Sequence, residues 1–207
     1  MGGLLSSPGE LRPPVAASCA CGRCQLLIHE RPVLSFKCHC STCLRFRSMK
    51  PLSSVEELDT HQPNVGLFRR SAVQIVSGEE ALGSWHTRGS FPFFVGMDRR
   101  YCVACKTPGV VEYFRDCFYR TSFLGATCVY LGYVCPDAPE LRDFDFHVAS
   151  QSATPGAKKL MQHDGKRKFG LISGLLAIVA ISFVPALRRL LLGSGSRQQV
   201  EKRTTLF

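Results

Sequence analysis

The chain has 207 residues, of which 45% are hydrophobic, enough for one domain of ordinary size plus an extension. Its formal net charge of +10 is not spread evenly. Residues 157–207 hold 10 of the 26 Lys and Arg but only 2 of the 16 Asp and Glu, so residues 1–156 carry +2. That excludes a basic groove across the folded part, and no nucleic-acid partner is expected.

Residues 1–15 contain no apolar run and are expected to be a disordered N-terminus. Met1–Ser6, "MGGLLS", fits the permissive pattern for attaching myristate to Gly2, although an unmodified start fits it as well. The basic n-region and apolar stretch of a secretory leader are not seen, which favours a reducing compartment. The middle of the chain reads as β. Gln25–Glu30, Val33–Lys37, Ala72–Val76, Phe91–Met97, Val110–Phe114 and Cys128–Val134 are short and rich in β-branched or aromatic residues. Lys50–Asn64 is polar with a proline near each end and reads as a loop. Residues 151–168 read as a basic linker.

Phe169–Leu187, "FGLISGLLAIVAISFVPAL", is free of charge and flanked by Lys166–Lys168 and by Arg188 and Arg189. As a helix it would be roughly 28 Å long, close to the thickness of a bilayer core. A single transmembrane helix over residues 169–192 is expected, followed by a short polar tail, 193–207. So near the end, it would act as a tail anchor, with the domain facing the cytosol. The alternative is a buried core helix. A short span with basic flanks points to the mitochondrial outer membrane first and the endoplasmic reticulum second.

Eleven cysteines carry the chemistry, six of them between Cys19 and Cys43. Their density points to metal rather than to disulfides in a reducing compartment. Cys38, Cys40 and Cys43 offer three thiols from one short segment. Cys19 and Cys21 need two further ligands for a tetrahedral ion, and the CxxC pair Cys102 and Cys105 supplies two, although CxxC alone also describes a redox pair. Two zinc ions per chain are therefore expected. The closed site would clasp the first strand to a hairpin about 80 residues later. The open three-cysteine site would be the catalytic one, since a vacant position lets a zinc ion bind and activate a thiol. His39 reads either as a donor behind the ligands or as a surface histidine. Cys24 reads as an alternative ligand or a small core residue. Cys117, Cys128 and Cys135 are expected to pack, as are Trp85, Phe93 and Phe94.

"CACG" at Cys19–Gly22, "CHCSTC" at Cys38–Cys43, "VSGEEALGSW" at Val76–Trp85, "RYCVACKTPG" at Arg100–Gly109 and Tyr130–Ser150 together resemble the glutathione-dependent formaldehyde-activating enzyme family, also called the GFA or CENP-V family. The resemblance runs over residues 16–150. It implies a mainly β, β-tent zinc domain and a carbon–sulfur lyase acting on glutathione–formaldehyde adducts. Independently of the resemblance, Arg45 and Arg47 read either as contacts for glutathione carboxylates or as solvated surface charges. Some relatives are associated with chromosomes and the cytoskeleton, so a non-catalytic docking module is the alternative. The family has Gly after the second CxxC cysteine. This chain has Lys106, which would enter a left-handed turn at a cost of about 1 kcal/mol.

Overall fold

The structure, a computed structural model, describes residues 9–48, 64–87, 96–115, 122–135, 138, 141, 143–170, 173–174 and 176–178. It is mainly β, as the run of short β-branched and aromatic segments predicts. Strands β1 (Glu10–Ser18), β2 (Gln25–Glu30) and β5 (Val73–Ser77) form a three-stranded antiparallel sheet in the order β1-β2-β5. The larger sheet contains β3 (Leu34–Cys38), β4 (Asn64–Arg69), β6 (Leu82–Thr87), β7 (Gly96–Cys102), β8 (Val111–Arg115), β9 (Ser122–Tyr130), β10 (Phe146–Val148) and β11 (Arg167–Phe169). Its order is β11-β10-β3-β4-β9-β8-β7-β6, parallel only at β10 with β3 and β11.

Side chains alternate across this sheet with the two-residue period of a strand, which separates two cores. Along β9, Ala126, Cys128 and Tyr130 enter a cluster with Leu34, Phe36, Val65, Leu67 and Phe146. Val129 enters the other cluster, with Phe68, Cys102, Val110 and residues of the small sheet such as Leu26 and Ile28. The small sheet thus packs on one face of the large one. Arg69 of β4 and Glu30 of β2 close that junction with a paired guanidinium–carboxylate contact, Nε to Oε2 at 2.9 Å.

Helix α1 (Ser41–Arg47) lies over the opposite face and was not foreseen. Its inward residues, Cys43, Phe46 and Arg47, recur at i, i+3 and i+4, but seven residues are too few to show a helical period in sequence. Leu131–Val134, expected to extend a strand, instead forms the short helix α2 after Tyr130. There the backbone has left the sheet while Leu131 and Val134 stay buried.

The ends also differ from expectation. Residues 10–15, read as disordered, belong to β1, an edge strand where prolines need not donate to a ladder. The segment read as a linker contains α3 (Pro155–Met161), capped by Thr154, whose hydroxyl accepts from the Ala157 amide at 3.3 Å. Proline at the first turn suits it, and Ala157 and Met161 bury one face. Phe169, expected to open a transmembrane helix, ends strand β11 and meets Phe146 edge to face at 5.3 Å. Ser173, Gly174 and residues 176–178 are helical, with Ala177 and Ile178 buried in the Phe36–Phe146 cluster. Among the described residues no helix is long and apolar enough to cross a membrane. The rest of the span, residues 1–8 with Gly2, most of Lys50–Asn64, Phe93, Phe94 and Cys117 lie outside the described residues.

Candidate metal centres

The β1–β2 turn carries Cys19, Cys21 and Cys24; Cys102 ends β7 and Cys105 lies in the turn that follows it. The Sγ atoms of Cys19, Cys21, Cys102 and Cys105 all lie within 4.8 Å of one another. Cys19 and Cys21 are 3.5 Å apart, and Cys21 and Cys102 are 3.7 Å apart. Four sulfurs at about 2.3 Å from a tetrahedral zinc are about 3.8 Å from each other, so the set fits that ion. The ten described cysteines are all free thiols, and these spacings are far beyond a disulfide bond of about 2.05 Å.

Local chemistry builds this centre. The Cys24 amide donates to Cys19 Sγ at 3.3 Å, and Thr107 Oγ1 lies 3.1 Å from Cys105 Sγ while accepting from the Ala20 amide at 3.1 Å. Burial opposes ionisation of Cys105, but hydrogen bonds from Thr107 bring its thiol down to about 6. Lys106 has φ 56°, the left-handed conformation expected for this turn. Gly78 is fixed by a close approach. At φ 76°, a Cβ there would stand 2.0 Å from the Arg23 carbonyl oxygen, beside the centre. Cys24 is fully buried, points its thiol at the Gly78 carbonyl at 3.5 Å, and is not part of the four-sulfur group. It is a packing residue, as are Cys128 and Cys135.

The second centre joins the end of β3 to the start of α1. Cys38, Cys40 and Cys43 Sγ lie within 4.8 Å of one another, Cys38 and Cys40 at 3.4 Å. Among the described residues no fourth Cys, His, Asp or Glu joins them. Cys40 is also the N-cap of α1, its sulfur accepting from the Cys43 amide at 3.4 Å. The same turn therefore starts the helix and aligns two sulfurs. Three soft sulfur donors suit zinc and leave one position for an outside ligand.

Sequence reasoning missed what surrounds this second centre. Arg99 of β7 is buried, and its Nη1 and Nη2 stand 3.6 and 3.7 Å from Cys43 Sγ. Nη1 also donates to Glu112 Oε1 of β8 at 3.1 Å and to the Tyr130 hydroxyl of β9 at 2.7 Å. Burial works against the charge on Arg99, but Glu112, Tyr130 and Cys43 hold its pKa above the ordinary value. Burial pushes the Glu112 carboxyl up to about 7 against the pull of Arg99. Hydrogen bonds from Cys38 and then Cys40 hold Cys43 well below its usual value; burial opposes them and Arg99 assists. Aromatic rings close the site. Phe46 stacks on half-buried Trp85 at 5.1 Å and meets Tyr130 and Tyr101 edge-on at 5.9 and 6.5 Å.

His39 is buried rather than at the surface, and it is not part of the three-sulfur group. Its Nε2 lies 2.9 Å from His147 Nδ1, and His147 Nε2 lies 2.6 Å from Asp164 Oδ2. A carboxylate only accepts, so a neutral His147 donates from Nε2 and accepts His39 Nε2–H at Nδ1. Arg45 is exposed, whereas Arg47 is buried under α1 and does not face solvent.

The fold and these two centres define a mainly β domain with one four-cysteine and one three-cysteine cluster, each able to hold a metal ion. No protein-family model matches the chain, and no curated protein matches it. A crystal structure of a Rhodobacter sphaeroides protein, a structural genomics target, is similar at a TM-score of 0.40 and 14% identity, covering 75% of this chain and 99% of that one.

Proposed function

We infer that this protein is a two-zinc domain of the GFA type, with a structural four-cysteine site and a reactive three-cysteine site for small thiols. One observation carries the reading: three convergent sulfurs with no fourth protein ligand among the described residues, in a chain that assembles a complete set of four elsewhere. A zinc ion at the three-cysteine site would bind an incoming thiol as thiolate and hold it as a soft nucleophile near neutral pH. The thiolate sulfur of a small thiol such as glutathione adds to the formaldehyde carbon. A C–S bond forms, the carbonyl π pair becomes an alkoxide, and that oxygen takes up the thiol's proton to give the hydroxymethyl thioether. The reverse breaks the same bond. The motif resemblance supports this carbon–sulfur lyase chemistry.

The test is metal content and turnover in the full chain. Native mass spectrometry should find two zinc ions in wild type and one in Cys40→Ser, and glutathione–formaldehyde adduct formation should be lost with the second ion. Equal turnover in both proteins would leave a zinc-stabilised docking module as the better reading.

Membrane attachment through residues 169–192, with the zinc domain in the cytosol, is the second part of the proposal. It rests on the uncharged run and its basic flanks. With Ala177 and Ile178 in the core, only Val179–Leu187 remains uncharged, about 14 Å as a helix, so spanning requires those two residues to leave the cluster. Ile181→Arg should move the full chain from the membrane to the soluble fraction, with the mitochondrial surface the first place to look. Retention at the membrane would rule out a span there.

A further inference from the structure

We propose that Arg99 is the positioning residue of the three-cysteine site, and that its guanidinium is what lets the site accept a thiolate as fourth ligand. The inference rests on the metal-site reading above. A divalent ion with three thiolates carries a net charge of −1, and a bound thiolate makes it −2. Such a charge in a buried site needs a fixed counter-charge.

Arg99 is the cation that the structure places against these sulfurs. It is 4% exposed, and both terminal nitrogens reach Cys43 Sγ. Three strands and a helix meet on it: β7 supplies Arg99 itself, β8 Glu112, β9 Tyr130, and α1 Cys43. Glu112 and Tyr130 fix the guanidinium plane from one side, and Phe46 lies 5.5 Å from its centre. The Met97 sulfur, 3.4 Å from Nη2, completes the contacts. A guanidinium that served only as half of an ion pair with Glu112 would have no need to turn both nitrogens to a sulfur.

The arrangement also makes the three ligands unequal. Cys43 shares its electron density with a cation, while Cys38 and Cys40 have no such partner among the described residues. Hydrogen bonding to a ligand sulfur weakens its donation to the metal and raises the energy of the sulfur-to-metal charge-transfer band.

The experiment uses the full chain loaded with cobalt(II), whose thiolate band reports the sulfur environment, with glutathione as the probe for the fourth position. Wild type should bind two cobalt ions, and glutathione should perturb only the part of the spectrum that Cys40→Ser abolishes. Arg99→Gln should shift that part to lower energy and weaken glutathione binding by about 10–100-fold, the range typical for groups behind metal ligands. Arg99→Lys should restore part of the glutathione affinity, through charge, without restoring the band. Glu112→Gln frees the guanidinium for Cys43 and should shift the band the other way, which keeps the test decisive if Arg99→Gln does not fold. An Arg99→Gln protein with two cobalt ions and the wild-type band and affinity overturns the proposal, as does a Glu112→Gln shift to lower energy. A wild type that binds only one cobalt ion overturns the metal-site reading itself, and the proposal with it.

Discussion

Gly109 sits where the turn after the closed centre touches the wall of the open one, and Gly109→Ala should damage the fold through that contact. Its φ is 62°, and a Cβ would lie 2.2 Å from Tyr130 Cγ and 2.5 and 2.6 Å from the two Cδ atoms. No real side chain tolerates that approach, and Tyr130 has no room to withdraw. The ring is fully buried, packs edge-on against Phe46, and its hydroxyl is held by Arg99. Its own amide also donates to the Gly109 carbonyl at 2.9 Å. A left-handed alanine costs about 1–2 kcal/mol, and overpacking adds about 1–3 kcal/mol. The stiffer unfolded chain returns about 0.4–1 kcal/mol. The net loss is about 1–5 kcal/mol, or roughly 2–20 °C in the melting midpoint of a domain this size. Thermal melts of the full chain measure it. Repeating the substitution in a Tyr130→Ala background separates the two causes, since only the backbone strain then remains and the loss should fall to about 1 kcal/mol. A midpoint within about 2 °C of wild type, or the same loss in both backgrounds, would refute the clash.

Two further outcomes follow from single residues. Lys106 is exposed at φ 56° with its ammonium 5.7 Å from the Tyr101 ring. Lys106→Gly should leave the melting midpoint nearly unchanged, because about 1 kcal/mol of relieved strain is offset by chain entropy and the lost cation–π contact; Lys106→Val, branched at positive φ, should lower it. Burial lowers the His147 pKa while Asp164 partly holds it up. Asp164→Asn should therefore lower it further in an NMR titration. A depressed folded pKa means stability present above the unfolded value of about 6.5 and lost as pH falls toward the folded one, so the mutant should lose more stability between pH 7 and 5 than wild type. A mutant whose His147 titrates higher would contradict the assigned hydrogen bonds.

Both cysteine clusters were legible because their spacing is local: i, i+2 and i+5 in one segment, and i, i+2 and CxxC in the others. Pairing Cys19 and Cys21 with Cys102 and Cys105 followed from ligand number alone. Arg99, Glu112 and Tyr130 were invisible because nothing local marks them. They come from three different strands, and a single arginine in "DRRYC" or glutamate in "VVEYF" looks like any solvated charge. Only the register Arg99↔Glu112 puts the two side by side on the inner face. The pair of His39 and His147 was hidden for the same reason, since β3 and β10 meet through a parallel pairing across 108 residues. The helical start of Pro155–Met161 was readable in Thr154, Pro155, Ala157 and Met161, but Gly156 and Pro155 suggested a linker. Leu131–Val134 is apolar enough for strand or helix, and the departure from the sheet at Tyr130 decided between them.

Strand β7 makes the two centres unequal partners. Arg99 and Cys102 are three residues apart, an odd interval, so they project to opposite faces of the sheet. Cys102 belongs to the core beneath the small sheet, and Arg99 reaches Cys43 on the other side. A metal ion held by the four-cysteine cluster would anchor the end of β7 to the β1–β2 turn, and its binding energy there would also be folding energy. Loss of that anchor frees the strand that delivers Arg99. The three-cysteine centre closes only the six-residue segment Cys38–Cys43. Cys102→Ser should therefore lower stability by several kcal/mol and also weaken metal at the three-cysteine centre, although all three of its ligands are intact. Cys40→Ser should lose one metal ion, fold, and keep the four-cysteine centre at wild-type affinity. Competition with a chromophoric chelator, read as two separate metal-release steps, distinguishes these outcomes. Equal and independent losses in the two mutants would mean that β7 transmits nothing between the faces of the sheet.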